Sequence, residues 1–125
     1  MRPSSSLIIV DADALIALVD TQDPHAQQAL EIVTWLQEIE VPLLYPATTI
    51  VEAATTLQRK LNKPAVVAQI VSGVSARQFI IEPVDEQLIA EATTLFKPHG
   101  SKQNTLFDAI VAAVAHRHNA RCLLV

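Results

Sequence analysis

Glycine, cysteine and aromatic residues are all scarce in this chain of 125 residues, and each scarcity removes a class of protein. With two glycines and no Gly-rich pattern, the chain has no phosphate-cradling loop of the P-loop or dinucleotide-binding kind. The single cysteine, Cys122, excludes an intramolecular disulfide framework. In the apolar ending Cys122-Leu123-Leu124-Val125 it reads as a buried, reduced thiol. Aromatics make up 4% of the residues although 50% are hydrophobic, so the core must be built from Val, Ile, Leu and Ala. Positive charge is in deficit: 9 Lys and Arg face 13 Asp and Glu, a net charge of −4. A protein of this balance has no general attraction for nucleic acid, and contact with RNA or DNA must use local basic groups or a bridging metal. Long apolar runs are also missing. The stretch 7–19 is interrupted by Asp11 and Asp13 and lacks the context of a signal peptide, so a cytoplasmic protein with no membrane segment is expected. The length suits one domain with a real core, read as a single domain over 1–125.

What is present is an alternation of short aliphatic runs and helical patterns. Residues 7–10 form a run typical of a buried parallel strand, and 12–19 follow as a short helix. Asp23 and Pro24 read as cap and first residue of a second helix ending near Ile39. In that helix Leu30, Val33 and Leu36 make an apolar stripe, and Ile32, Trp35 and Ile39 widen it beyond the roughly 100° a core-facing helix requires. The excess is expected to meet a segment of a partner protein or a second protomer, with a broad internal core as the alternative. A strand over 41–45 is closed by Pro46, Thr48 or Thr49 opens a helix to about Leu61, and a further helix follows Asn62-Lys63-Pro64 as far as Ser75. A strand over 79–81, a helix over 86–96 capped by Asp85, a loop over 97–104, a helix from Thr105 to His118 and a strand over 121–125 complete the chain. This order implies an α/β fold with a parallel sheet and right-handed crossovers. In such sheets ligands bind beyond the carboxyl ends of the strands, where Asp11 must lie.

Three acids occupy equivalent places. Asp11, Glu52 and Asp108 each stand where an apolar or loop segment runs into a helix, and acids so gathered can bind a divalent cation. Each also has a local explanation. Thr49-x-x-Glu52 and Thr105-x-x-Asp108 read as capping boxes, and Asp11 as an N-cap. The two readings are compatible, because helix N-termini favour ionised carboxylates and a hard cation needs them.

With these positions placed, the sequence resembles the PIN-domain family, and within it the VapC-type toxins of bacterial and archaeal toxin–antitoxin pairs. The carriers are Ile9-Val10-Asp11-Ala12-Asp13-Ala14-Leu15-Ile16-Ala17-Leu18, Ile50-Val51-Glu52-Ala53-Ala54 and Asn104-Thr105-Leu106-Phe107-Asp108-Ala109-Ile110-Val111-Ala112-Ala113. The resemblance implies a three-layer α/β/α sandwich with a central parallel sheet and a Mg²⁺- or Mn²⁺-dependent ribonuclease. It also implies inhibition by a small antitoxin protein and a homodimer. By position, Asp11, Glu52 and Asp108 match the family's first three acids as catalytic residues and metal ligands, with Asp13 and Asn104 as supporting polar groups. The family's fourth acid follows the last strand and has no counterpart by Val125. The resemblance therefore implies either three carboxylates with a weaker second metal position or a sequence that stops short of the fourth.

Arg59, Lys60 and Lys102 are candidates for holding flanking RNA phosphates, with solvated charge as the alternative for each. Lys63 and Arg77 read as solvated charges. His116 and His118 read as helix C-terminal residues favoured by the dipole. Two other enzyme or signalling classes compete less well. Asp11-Ala12-Asp13 after a strand is also the opening of a haloacid-dehalogenase-type phosphatase, but Ala14-Leu15 stands where Gly-Thr is usual. A phosphate-receiver domain needs an acceptor Asp after its third strand, and none is found. A third alternative is a PIN-like module that binds partners without a complete metal site.

Overall fold

A β-branched run followed at once by a helix that is hydrophobic nearly all round forms the centre of the molecule. Among residues 7–100 and 104–125, which the computed structural model describes, β1 (Ile8–Val10) leads into α1 (Ala12–Val19) and then α2 (Ala26–Glu38). β2 (Leu43–Pro46), α3 (Ala47–Arg59), α4 (Pro64–Ser75) and β3 (Ile81–Glu82) come next, then α5 (Glu86–Thr93), α6 (Leu106–His118) and β4 (Arg121–Leu123). The strands pair in the order β3-β2-β1-β4, all parallel, with Ile9 between Leu44 and Cys122. Among the described residues no helix is long and apolar enough to cross a membrane.

The period-two alternation of a strand sends neighbouring side chains to opposite faces. Val10, Tyr45 and Leu123 pack with Leu15, Leu57 and Ile70 beneath α1, α3 and α4. Ile9 and Leu44 pack with Leu88, Ile110 and Val114 beneath α5 and α6. Helices on both sides of a parallel sheet make the three-layer α/β/α sandwich that the sequence implied.

Several boundaries differ from the sequence expectation. α2 starts at Ala26 and not at Pro24, because the Asp23 carboxylate accepts the His25 N–H at 2.8 Å and closes a turn ahead of the helix. Its inward face is Ala29, Ile32, Val33 and Leu36, so Leu30, expected in the core stripe, is 58% exposed beside Trp35 and Ile39. α3 starts at Ala47, directly after Pro46, which places Thr49 inside the helix. β3 is only Ile81–Glu82, although the Ile80 carbonyl still accepts the Tyr45 N–H at 2.9 Å.

The scarcity of glycine shows at the helix ends. Among the described residues Glu40, Asn62, Arg77 and Asn119 adopt positive φ after α2, α3, α4 and α6, a role glycine usually fills. The long return bonds Val41 N to Leu36 O, Gln78 N to Gly73 O and Ala120 N to Ala115 O, all 2.8–2.9 Å, hold three of these ends. Gly73 itself is required for space: a Cβ there would lie 2.5 Å from the Phe79 ring, which meets Tyr45 edge-on.

Lys63, expected to be a solvated charge, is an ion-pair partner. Its ammonium lies 2.5 Å from the carboxylate of Asp20, a residue only 4% exposed at the end of α1. The bond ties α1 to the start of α4 and holds the Asp20 carboxyl below its ordinary value. A lowered folded-state value contributes stability above the unfolded value of 3.8 and loses it as the pH falls through the folded one. Lys63→Met should therefore lose about 3 kcal/mol at neutral pH, since it strands a buried carboxylate. Urea denaturation at pH 7 and pH 3 checks this. The gap to wild type should narrow in acid, and a gap independent of pH would show that the pair does not carry the loss.

Candidate active site

In a parallel sheet all strands end at one edge, and here that edge collects the acids. Asp11 follows β1 directly and caps α1, its carboxylate accepting the Ala14 N–H at 2.8 Å. It is half-buried, and burial pushes its carboxyl up; the Ala14 bond opposes this, while the charges of Asp13 and Asp108 add to it. Asp13, on the first turn of α1, is exposed.

Glu52 is not the capping-box residue that the sequence pattern allowed. Thr49 does not cap α3: its buried hydroxyl donates to the Val10 carbonyl at 2.9 Å, pinning the first turn of α3 to the end of β1. Glu52 lies one turn further on, half-buried, with no capping duty. Its carboxyl is pushed up to about 7, first by burial, then by the charges of Asp108, Asp13 and Asp11, against which Lys60 acts weakly. The sequence signal for Thr49 was its spacing: Thr49, Ala53 and Leu57 recur at i, i+4 and i+8 and form the buried face.

Asp108 does cap. Thr105 N–H donates to its carboxylate at 2.9 Å, and the Thr105 hydroxyl accepts the Asp108 N–H at 3.4 Å, a reciprocal box at the start of α6. Asp108 remains exposed while acting electrostatically on both Asp11 and Glu52. Asp11, Asp13, Glu52 and Asp108 thus share one field, although among the described residues no three His, Cys, Asp or Glu side chains converge into a ready-made ligand cage. The donor chemistry fits a hard divalent cation nonetheless. Mg²⁺ keeps several waters and is commonly held by one or two carboxylates, and repelling acids without a cation have reason to stay apart.

The remaining candidates divide. Lys60, at the end of α3, lies within electrostatic reach of Glu52; Arg59, exposed on the last turn, is not among the charges acting on it. Asn104 is exposed next to Thr105. Lys102 lies outside the described residues. His118 is bound to Glu82 at 2.7 Å and Arg117 to Glu91 at 3.0 Å, so the end of α6 makes structural contacts. The half-buried Cys122 thiol is pushed up by burial and by the Asp11 charge, which suits an inert thiol.

The PIN domain family model matches residues 8–124, and the chain belongs to that family. That membership, with the parallel sheet, sets aside the phosphatase and receiver alternatives. A similar solved structure is that of Mycobacterium tuberculosis VapC20, a Sarcin-Ricin loop cleaving toxin. It is 20% identical over 94% of this chain and 89% of that one, with a TM-score of 0.73. No curated protein matches in sequence.

The shared field has a consequence for stability without metal. Because Glu52 titrates near 7, above its ordinary 4.5, its contribution is complete below 4.5 and is lost as the pH rises through about 7. In chelator, the wild-type melting temperature should rise as the pH drops from 8 to 5. Glu52→Gln should melt higher than wild type at pH 8 and show a shallower pH slope. Equal slopes would mean that this carboxylate stands apart from its neighbours.

Proposed function

We propose that this PIN domain is a metal-dependent endoribonuclease acting in the cytoplasm as the toxin of a toxin–antitoxin pair, working as a single domain over the whole chain. The observation that carries the reading is the gathering of Asp11, Asp13, Glu52 and Asp108 on the first turns of α1 and α6 and on α3, at the carboxyl edge of the parallel sheet. That arrangement is unfavourable until a cation shares it. PIN domains are generally nucleases, and VapC20, whose fold this chain shares, is a Sarcin-Ricin loop cleaving toxin.

Asp11, Glu52 and Asp108 would hold Mg²⁺ or Mn²⁺, with Asp13 at the margin. When bound, the ion supplies positive charge and Lewis acidity at the scissile phosphate. The chain's own residues do the rest. The helix caps hold Asp11 and Asp108 in fixed directions at two helix N-termini. Thr49 fixes α3, and with it Glu52, against β1. Lys60, whose charge reaches Glu52, would meet a flanking phosphate and offset the repulsion between an acidic protein and RNA. A second reading, a PIN module that binds without cutting, draws on the lack of a converged ligand cage among the described residues.

Asp108 and Thr105 separate chemistry from capping. Thr105→Ala should cost about 1 kcal/mol and leave cleavage nearly intact. Asp108→Asn should lose a similar amount of stability but reduce cleavage of single-stranded RNA by about a hundredfold or more, because it removes a charge from the metal shell. In parallel melts, Mn²⁺ should raise the melting temperature of wild type and raise that of Asp11→Asn far less. Full activity in Asp108→Asn would leave this acid a cap alone, and metal-dependent stabilisation without any RNA cleavage would favour the binding-only reading.

The toxin assignment also implies an antitoxin and a second copy of the chain. Leu30 and Trp35 on α2 and Ile39 just after it are exposed apolar side chains, with Trp35 57% exposed. Trp35→Ala should keep the fold and weaken antitoxin binding or self-association by tenfold or more, about the effect of losing an interface aromatic. Sedimentation and titration calorimetry with the protein encoded upstream measure both. If neither changes, the α2 face is not a partner surface.

A further inference from the structure

One hollow adjoins the acidic edge and extends away from the other carboxylates. It lies between the end of α5 and the start of α6, measures about 340 Å³ and shares Asp108 with the candidate site. That size falls at the small end of ligand pockets, roughly 300–1,000 Å³. Its apolar lining includes Leu95, Phe96 and Ala112, and its polar lining includes Lys97 and Asn104.

The hollow is built by the fold. Leu95 and Phe96 N–H groups both donate to the Ala92 carbonyl, at 3.0 and 3.1 Å, so the chain turns tightly as α5 ends. Phe96 packs partly against the buried cluster of Leu88 and Ala92 and partly lines the hollow. Leu95 beside it is 50% exposed. Across the opening the Thr105–Asp108 box sets the first turn of α6 and keeps Asn104 at the mouth.

An apolar lining with an aromatic ring, an amide carrying both donor and acceptor, and an ammonium group match three parts of one nucleotide. Proteins that recognise single-stranded RNA splay a base out, stack it on an aromatic surface and bond its edge. Asp108 belongs to both places, so a strand whose phosphate lies at the carboxylates carries its neighbouring base to this opening. We propose that the hollow receives one unpaired nucleobase flanking the cleaved phosphodiester, with Phe96 as the stacking surface, Asn104 bonding the base edge and Lys97 holding the adjoining phosphate. The proposal rests on the ribonuclease reading and assigns to this hollow the sequence preference of that activity.

Two measurements test it, one independent of metal and cleavage. Adenosine, guanosine, cytidine and uridine are titrated separately into the metal-free protein and followed by amide chemical shifts. At least one should give saturable shifts centred on Leu95, Phe96, Asn104 and Ala112. Ala112→Trp, which fills the hollow from an exposed position of α6, should abolish them, and Phe96→Leu should weaken them while both variants melt cooperatively. In the second measurement an abasic site is walked along a cleavable single-stranded RNA with Mn²⁺ present. One position next to the cut should lower kcat/KM about tenfold or more in wild type, as expected for a lost stacked base, and not in Ala112→Trp. Absence of saturable shifts at the hollow, or identical shifts in Ala112→Trp, overturns the base site. If nucleosides bind there but wild type cleaves no RNA with Mn²⁺, the base site stands and the ribonuclease reading falls.

Discussion

Beneath the acidic edge lies one buried hydrogen bond, from the Thr49 hydroxyl to the Val10 carbonyl. Val10 ends the central strand β1, and a buried carbonyl without a partner is costly. Thr49 satisfies it from the first turn of α3. The bond therefore joins the segment that carries Asp11 to the helix that carries Glu52. Parallel pairing of β1 with both β2 and β4 brings the other segments to the same edge. The buried Ala53 and Leu57 of α3 pack against Ala12, Ala14 and Leu15 of α1, and the Thr49 bond adds direction to that apolar contact.

The acids at this edge illustrate how one side chain serves two purposes. Asp11 and Asp108 satisfy the free amides of helix first turns and so hold fixed orientations. Their negative charge remains available to a second partner, because a carboxylate has more lone pairs than a cap consumes. Glu52 has no such local duty, and its burial among like charges is correspondingly unfavourable. In a protein with only 22 charged side chains, placing four acids in one field is a concentrated electrostatic strain. Strain of this kind marks functional positions more often than stabilising ones.

The remote ends of the molecule follow ordinary rules of stability. Asp20 and Lys63 close α1 against α4, and His118 and Arg117 bind acids on β3 and α5. These pairs hold the helices that bear the site without entering it. The lack of glycine is met by asparagine, glutamate and arginine in the left-handed region, supported by return hydrogen bonds to the preceding turn.

Much of this was legible in the chain itself. The aliphatic run at 7–10, the Asp85 and Thr105 caps and the breaks at Pro46 and Pro64 are local signals, and local backbone preferences determined the α/β order and the places of Asp11 and Asp108. Residues near a helix end disclose their capping role because the partner lies within three positions. What only the tertiary structure decided concerns partners far apart in sequence. Thr49 looked like a cap because Thr-x-x-Glu fits one, yet its partner is Val10, 39 residues away. Lys63 looked solvated until Asp20 was placed beside it, and Leu30 looked buried until α2 turned Ala29 and Leu36 inward. Nor does sequence spacing convey that Glu52 is raised by Asp11, Asp13 and Asp108, since that effect depends on burial and on distances set by packing three layers together. Local chemistry chose the elements, and long-range contacts chose which faces, charges and hydroxyls meet.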